Sequence, residues 1–359
     1  SFINKRIKLI MAYTTINKST EHFNTKLYTG NGSTQSITAV GFQPDMIWQK
    51  ERSNTSYHVL TDAVRGNTKQ LFPNDPANEA TSSLYITSFD SDGFSQGQQN
   101  DTNESGQTYA SWNWKANGAG SSNTNGSITS TVSTNTTAGF SIVKYVGTGG
   151  ARTIGHGLNS SPELILQKNV TYSGAYNWYS WHIGIPATNY VKLDQTTASA
   201  SGDGVTWNNT LPTNQVFSVG TQGGSNRSGD THIAYCFHSV QGYSKFGSYT
   251  GNGNADGTFV YTGFKPAFVM IKMTSEAQNW GIYDNKRVGY NEVKNVLFPN
   301  LSNAENTDLA PIDLLSNGFK MRKNAASSDQ NNKSGGAYIY IAFAEAPLVG
   351  TNNVPCTAR

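Results

Sequence analysis

Trp178, Tyr179, Trp181 and His182 sit almost side by side in this chain, with Trp207 further along. Exposed indoles stack on the C–H faces of sugar rings, while Asn, Gln and Asp side chains bind the hydroxyls. Trp178, Trp181, His182 and Trp207 are therefore the candidate glycan-binding residues. Filling a core is the competing role for the same side chains. Trp181 and Trp207 fall outside the pattern that repeats along the chain, which marks them as the better candidates for exposure. Asp90-Ser-Asp-Gly93 has the look of a calcium loop, but Phe94-Ser-Gln-Gly-Gln-Gln follows with no acidic ligand where one is needed, so a turn is expected. His232 and His238 flank one expected strand and share a face; a metal would need a third ligand from elsewhere, and a hydrogen-bonded surface pair is expected instead. The glycine-rich stretches Gly147–Gly150 and Gly251–Gly253 lack the helix and lysine of a phosphate cradle. There is no Gly-x-Ser-x-Gly elbow, and nothing indicates a carboxylate pair. No catalytic residue, no cofactor and no metal ligand is assigned, and the expected protein is not an enzyme.

The elements that must carry these residues are short strands. Only 14% of the 359 residues are charged, while 36 are glycine and 11% are aromatic. Helices want Ala, Leu, Glu and Lys; Thr, Asn, Gly and aromatics suit strands joined by tight turns. Disorder would lack the aromatics. The net charge of +3 is dispersed, with one small cluster at Lys5-Arg6-Ile7-Lys8, so no nucleic-acid partner is expected. Cys236 lies in an apolar run and Cys356 in the C-terminal tail, which gives no disulfide framework. No apolar run approaches the ~18 residues of a membrane span. Met11 reads as a natural translation start and residues 1–10 as an upstream extension.

Two patterns recur three times. Pro44 to Lys50, Pro162 to Lys168 and Pro266 to Lys272 each enclose a mostly apolar run, read as a central strand buried on both faces. Asn103-Glu-Ser-Gly106, Asn226-Arg-Ser-Gly229 and Asn332-Lys-Ser-Gly335 each precede an apolar or aromatic residue (Trp112, Tyr235, Ile341) by the same interval. These stretches are glycosylation sequons, but the fixed interval argues for a β-turn. Asn-Gly in Tyr28–Gly32 and Tyr249–Gly253 signals hairpins.

The expected fold is all-β: three tandem antiparallel β-sandwich units of jelly-roll or lectin-like type. Residues 1–20 are expected as a lead-in or anchor, 21–116 as the first unit, and 117–138 as a low-complexity linker. Residues 139–240 and 241–347 follow as the second and third units, and 348–359 as a tail.

The words themselves are familiar at Tyr28–Gly32, Gly41–Lys50, Ser88–Phe94, Tyr109–Ala116, Ile233–Gly253 and Ile341–Pro347. Through them the chain resembles a repeat-domain family of tailed-bacteriophage virion proteins, especially marine ones, from about Tyr28 to Pro347. A looser likeness in architecture to concanavalin- and SPRY-type lectin-like sandwiches transfers no binding residues. The resemblance implies a place on the virion surface after synthesis in the host cytoplasm, and no catalytic residues. The expected function is a non-enzymatic structural protein: a tail fibre, tail-associated or capsid-decorating protein. It would be a homo-oligomer, a trimer by first expectation, with other virion proteins as partners. The alternatives are a receptor-binding lectin that contacts host surface glycans, and a glycan-degrading tailspike enzyme, which needs an acid pair that nothing here indicates.

Overall fold

The computed structural model describes residues 13–323 and 330–350; the expected start at Met11, Cys356 and most of the expected tail lie outside them. The described chain is all-β, with antiparallel pairing throughout its sheets. Three large sheets follow one another. In each, a closing strand lies between an opening strand and the Pro-to-Lys strand. Thr108–Trp114 lies between Phe23–Thr29 and Met46–Glu51. Thr231–Phe237 lies between Phe140–Val146 and Leu164–Asn169. Ala337–Pro347 lies between Ser244–Thr250 and Phe264–Met273. A return strand pairs next to each Pro-to-Lys strand: His58–Asp62, Tyr179–His182 and Trp280–Asp284.

Why the Pro-to-Lys strands read as unbroken apolar runs is now plain. Every residue of Met46–Glu51 and Leu164–Asn169 is buried. In the first sheet Met46 and Trp48 face a core shared by all three sheets, while Ile47 faces a small outer sheet through Ile37, Ile86 and Phe94. The shared core closes on Trp114, Phe237 and Phe343, each near the end of its closing strand. Their ring centroids lie 6.5, 5.9 and 5.7 Å apart as a mutual triangle. Aromatic pairs at such separations favour tilted and edge-on contacts and add to the area they bury.

The expected linker is the main correction. Residues 117–138 contain the strands Ser121–Asn123 and Ser130–Asn135, which pair with each other and then with Phe140–Val146. Ser, Thr and Asn looked like flexible filler, but alternation rescues the stretch: Ser130 and Val132 point inward while Ser122 and Thr129 stay exposed. The lead-in is packed where it is described. Ile16 is buried, and the Tyr13 hydroxyl donates to the Gly263 carbonyl at 2.8 Å.

The repeated Asn of Asn-x-Ser-Gly is a buried clamp. Asn103 Oδ1 accepts from Asn31 N at 2.9 Å, Asn226 Oδ1 from Thr148 N at 2.9 Å and Asn332 Oδ1 from Asn252 N at 3.1 Å. Their amides donate to the carbonyls of Gly97, Gly220 and Lys323. The clamp ties the turn after each opening strand to the turn before each closing strand. Gly30, Gly147 and Gly251 stand where the two turns touch, and any side chain there would overlap the carbonyl oxygen of Glu104, Arg227 or Lys333. Each of these amide nitrogens is spent on bonds within the fold, where the stretch serves as a turn clamp.

Candidate functional site

Trp178, Trp181, His182 and Trp207 are all buried, and they form no stacking face. The physical reason is their place in the return strand and the loop beside it, at the boundary with neighbouring sheets. Trp178 Nε1 donates to Phe72 O at 3.0 Å and Trp181 Nε1 to Pro186 O at 3.3 Å. His182 Nδ1 accepts from Gly184 N at 2.9 Å, so its Nε2 carries the proton donated to Tyr340 O at 3.0 Å. Trp207 Nε1 has no acceptor among the described residues. His232 is also buried rather than paired at the surface: it stacks on Tyr145 with centroids 5.1 Å apart and bonds Gln167. His238 is half-buried against Ser239 O. At Asp90 and Asp92 the carboxylates are spent locally, on the hydroxyls of Ser88 and Ser95 and on the backbone N–H groups of Ala39 and Gly41. No group of three or more metal-ligating side chains occurs among the described residues.

Buried histidines are expected to make the fold acid-labile. Burial holds His156, His182 and His232 down to about 4, and His58 well below its ordinary value. A base depressed in the folded state contributes stability that is present above its unfolded value of ~6.5 and lost as pH falls through the folded value. Each histidine then removes up to about 1.4 kcal/mol per pH unit below ~6. Asp45 and Asp194, pushed up by burial, offset a part. A fold in the lower half of the ordinary range of roughly 5–15 kcal/mol is expected to unfold before pH 4. Thermal melts stepped from pH 7 to pH 4 test this; a flat melting temperature would contradict it.

The three lysines of the Pro-to-Lys strands are pins, not nucleophiles. Burial lowers Lys50 and Lys168 to about 8 and Lys272 to about 7. A lysine so lowered suits Schiff-base chemistry, but only where a carbonyl substrate can reach it. All three are fully buried. Lys272 Nζ donates to the carbonyls of Met273, Gln278 and Thr196 at 2.8, 2.8 and 3.1 Å, and Lys168 Nζ donates to Pro76 O at 2.6 Å and to Tyr176 O.

Thr196 and Pro76 each belong to the preceding sheet, and this points to the main organisation of polar groups: a ring of bonds at three junctions. Glu79 N donates to Val170 O, Ser199 N to Thr274 O and Glu305 N to Arg52 O, the last joining the third sheet back to the first. Across the same junctions the Tyr235 hydroxyl donates to Asp62 Oδ2 at 2.7 Å and Trp112 Nε1 to Asp284 Oδ2 at 3.1 Å. Asp62 and Asp284 each follow their strand's lysine, Lys50 or Lys272, by the same interval, and each is followed by an arginine three residues on. Sequence reasoning missed this Asp-x-x-Arg pair, although the shared offset was there to be counted.

Equivalent positions make the junctions differ. At the third-to-first junction Arg287 bonds Asp284 at 2.6 Å and Glu305 at 2.8 Å, and Arg52 grips Glu305 from the other side at 3.0 Å. At the second-to-third, His182, Ile185 and Ser199 stand where those charges would be. At the first-to-second, Arg65 bonds Asp62 at 2.6 Å and Glu79 at 3.1 Å, but the place of Arg52 is taken by Val170. There a groove of about 380 Å³ opens, bounded by Arg65, Lys69 and Glu79 on one side and by the 121–146 strands on the other.

A family model described as a domain of unknown function, DUF7483, matches residues 18–347. The chain belongs to the DUF7483 family. The match spans all three large sheets of this DUF7483 chain, together with the junctions between them. No curated protein matches it.

Proposed function

We propose that the chain is a non-enzymatic structural protein of a bacteriophage particle, displayed at its surface as a tail fibre, tail-associated or capsid-decorating protein. In this reading its three sheet groups are β-sandwich units of one jelly-roll or lectin-like design. The observation that carries it is how the repeated polar residues are used. Asn103, Asn226 and Asn332, Lys50, Lys168 and Lys272, and the Asp-Arg-Glu sets are spent on internal bonds that lock turns and junctions. A chain that invests its repeated chemistry in rigidity is built to hold shape. The resemblance of Tyr28–Gly32, Ile233–Gly253 and Ile341–Pro347 to tailed-phage virion proteins supplies the setting. Whole chains are taken to associate as a homo-oligomer, with a trimer the first expectation, and to meet other virion proteins through their outer faces.

Particles purified from the culture that makes this chain provide the test. Quantitative mass spectrometry should find it at a fixed copy number per particle, and antibody-labelled electron microscopy should place it at symmetric surface positions. Recovery only in the particle-free lysate would overturn the reading.

A further inference from the structure

We propose that the groove at the first-to-second junction is a binding site for an acidic saccharide. It exists for two reasons. The position that holds Arg52 at the ionic junction is Val170 here, so no guanidinium seals the carboxylate in. The 121–135 hairpin, which adds strands outside Phe140–Val146, raises a wall that the first and third sheets lack outside their opening strands.

The wall sets the ligand chemistry. Ser122, Thr129 and Thr131 line it, and Thr231 lines the base. The hydroxyls of these four residues take no part in the described protein's own hydrogen bonds, so each is free to donate and accept. Lys144 Nζ donates to Val64 O at 3.3 Å and has no carboxylate partner among the described residues, which leaves N–H donors for a ligand. Opposite, Glu79 is bridged by Arg65 and Lys69, both at 3.1 Å, and lacks the second guanidinium that caps Glu305. A bare anion would gain Lys144 but face Glu79. A polyol carrying a carboxylate satisfies both: its acid meets Lys144, its hydroxyls donate to Glu79 and exchange hydrogen bonds with the threonines. The volume suits one or two sugar rings, at the lower end of the roughly 300–1,000 Å³ of small-ligand sites. The site has no exposed aromatic face, which is why aromatic clustering does not reveal it. It does not depend on where the protein resides.

Isothermal titration calorimetry of the full chain with a trigalacturonate tests it, beside a neutral trisaccharide and inorganic phosphate. One site per chain is expected, weakened by added salt. Lys144→Gln should lower affinity about tenfold or more and Thr131→Val by about threefold or more, as expected for a charged and a neutral hydrogen bond. Both variants should keep the wild-type melting temperature to within a few degrees. Thr131→Val preserves side-chain shape, so it tests the site even if Lys144→Gln misfolds. The proposal is overturned by no binding at millimolar trigalacturonate, by equal binding of the neutral sugar, by phosphate binding as tightly, or by unchanged affinity in both variants.

Discussion

Asn226→Ala is expected to destabilise the fold by about 2–4 kcal/mol, whereas Ser228→Ala, two residues on in the same sequon, should change it by less than ~0.5 kcal/mol. Asn226 is fully buried, and Ser228 is exposed. Alanine at 226 would leave Thr148 N–H without its acceptor, and the carbonyls of Gly150 and Gly220 without their donor. The Gly220 carbonyl is buried and costs about 1–3 kcal/mol when orphaned, while the Thr148 N–H and the Gly150 carbonyl lie in partly exposed bonds and add less to the cavity that alanine leaves. Urea unfolding of the two variants reads the contrast directly. Equal midpoints would show that the turn holds without its clamp.

Arg287→Met should cost about 3–5 kcal/mol, because it takes the guanidinium from two buried carboxylates at once and leaves Asp284 with no cation. Asp284 is fully buried and Glu305 nearly so, and Arg287 also donates to Ile282 O at 2.7 Å. Arg52 would still hold Glu305, but Asp284 would keep only Trp112 Nε1 and backbone donors. Replacing Asp284, Arg287 and Glu305 together by His, Ile and Ser should cost less than the single change. Those residues already stand at the matching places of the second-to-third junction, and a buried ionic set is often replaced by apolar packing at little loss. Urea midpoints of the single and triple variants decide it; a triple variant weaker than the single would show that the ionic set is needed for its own sake.

Much of the scaffold was legible because it follows short-range rules. The Pro-to-Lys runs declared strands buried on both faces. Asn-Gly marked turns but not the hairpins expected there: Phe23–Thr29 and Ser244–Thr250 pair with their closing strands, and the strands after the turns, Gln35–Ile37 and Phe259–Tyr261, join the small outer sheets. Asp90-Ser-Asp-Gly93 declared a hairpin, seen as the pairing of Asp90 with Gly93. What stayed hidden depends on contacts between distant parts of the chain. Residues 117–138 looked like a linker because composition cannot show that Val132 faces a core. Trp178 and Trp181 looked like a platform because clustering in sequence does not reveal which side a neighbouring sheet covers. The groove was harder still: its signal is an arginine that is missing, since Val170 stands where Arg52 stands in the first repeat.

The bonds that join Glu305 to Arg52 close the circle within one polypeptide. Three identical subunits around an axis would be bound to identical contacts, so any change would be made three times over. Three sheets within one chain are free of that obligation. One seam can be welded with charge, a second closed without ion pairs and a third left ajar, so the three sides around the axis differ as those of a symmetric trimer cannot.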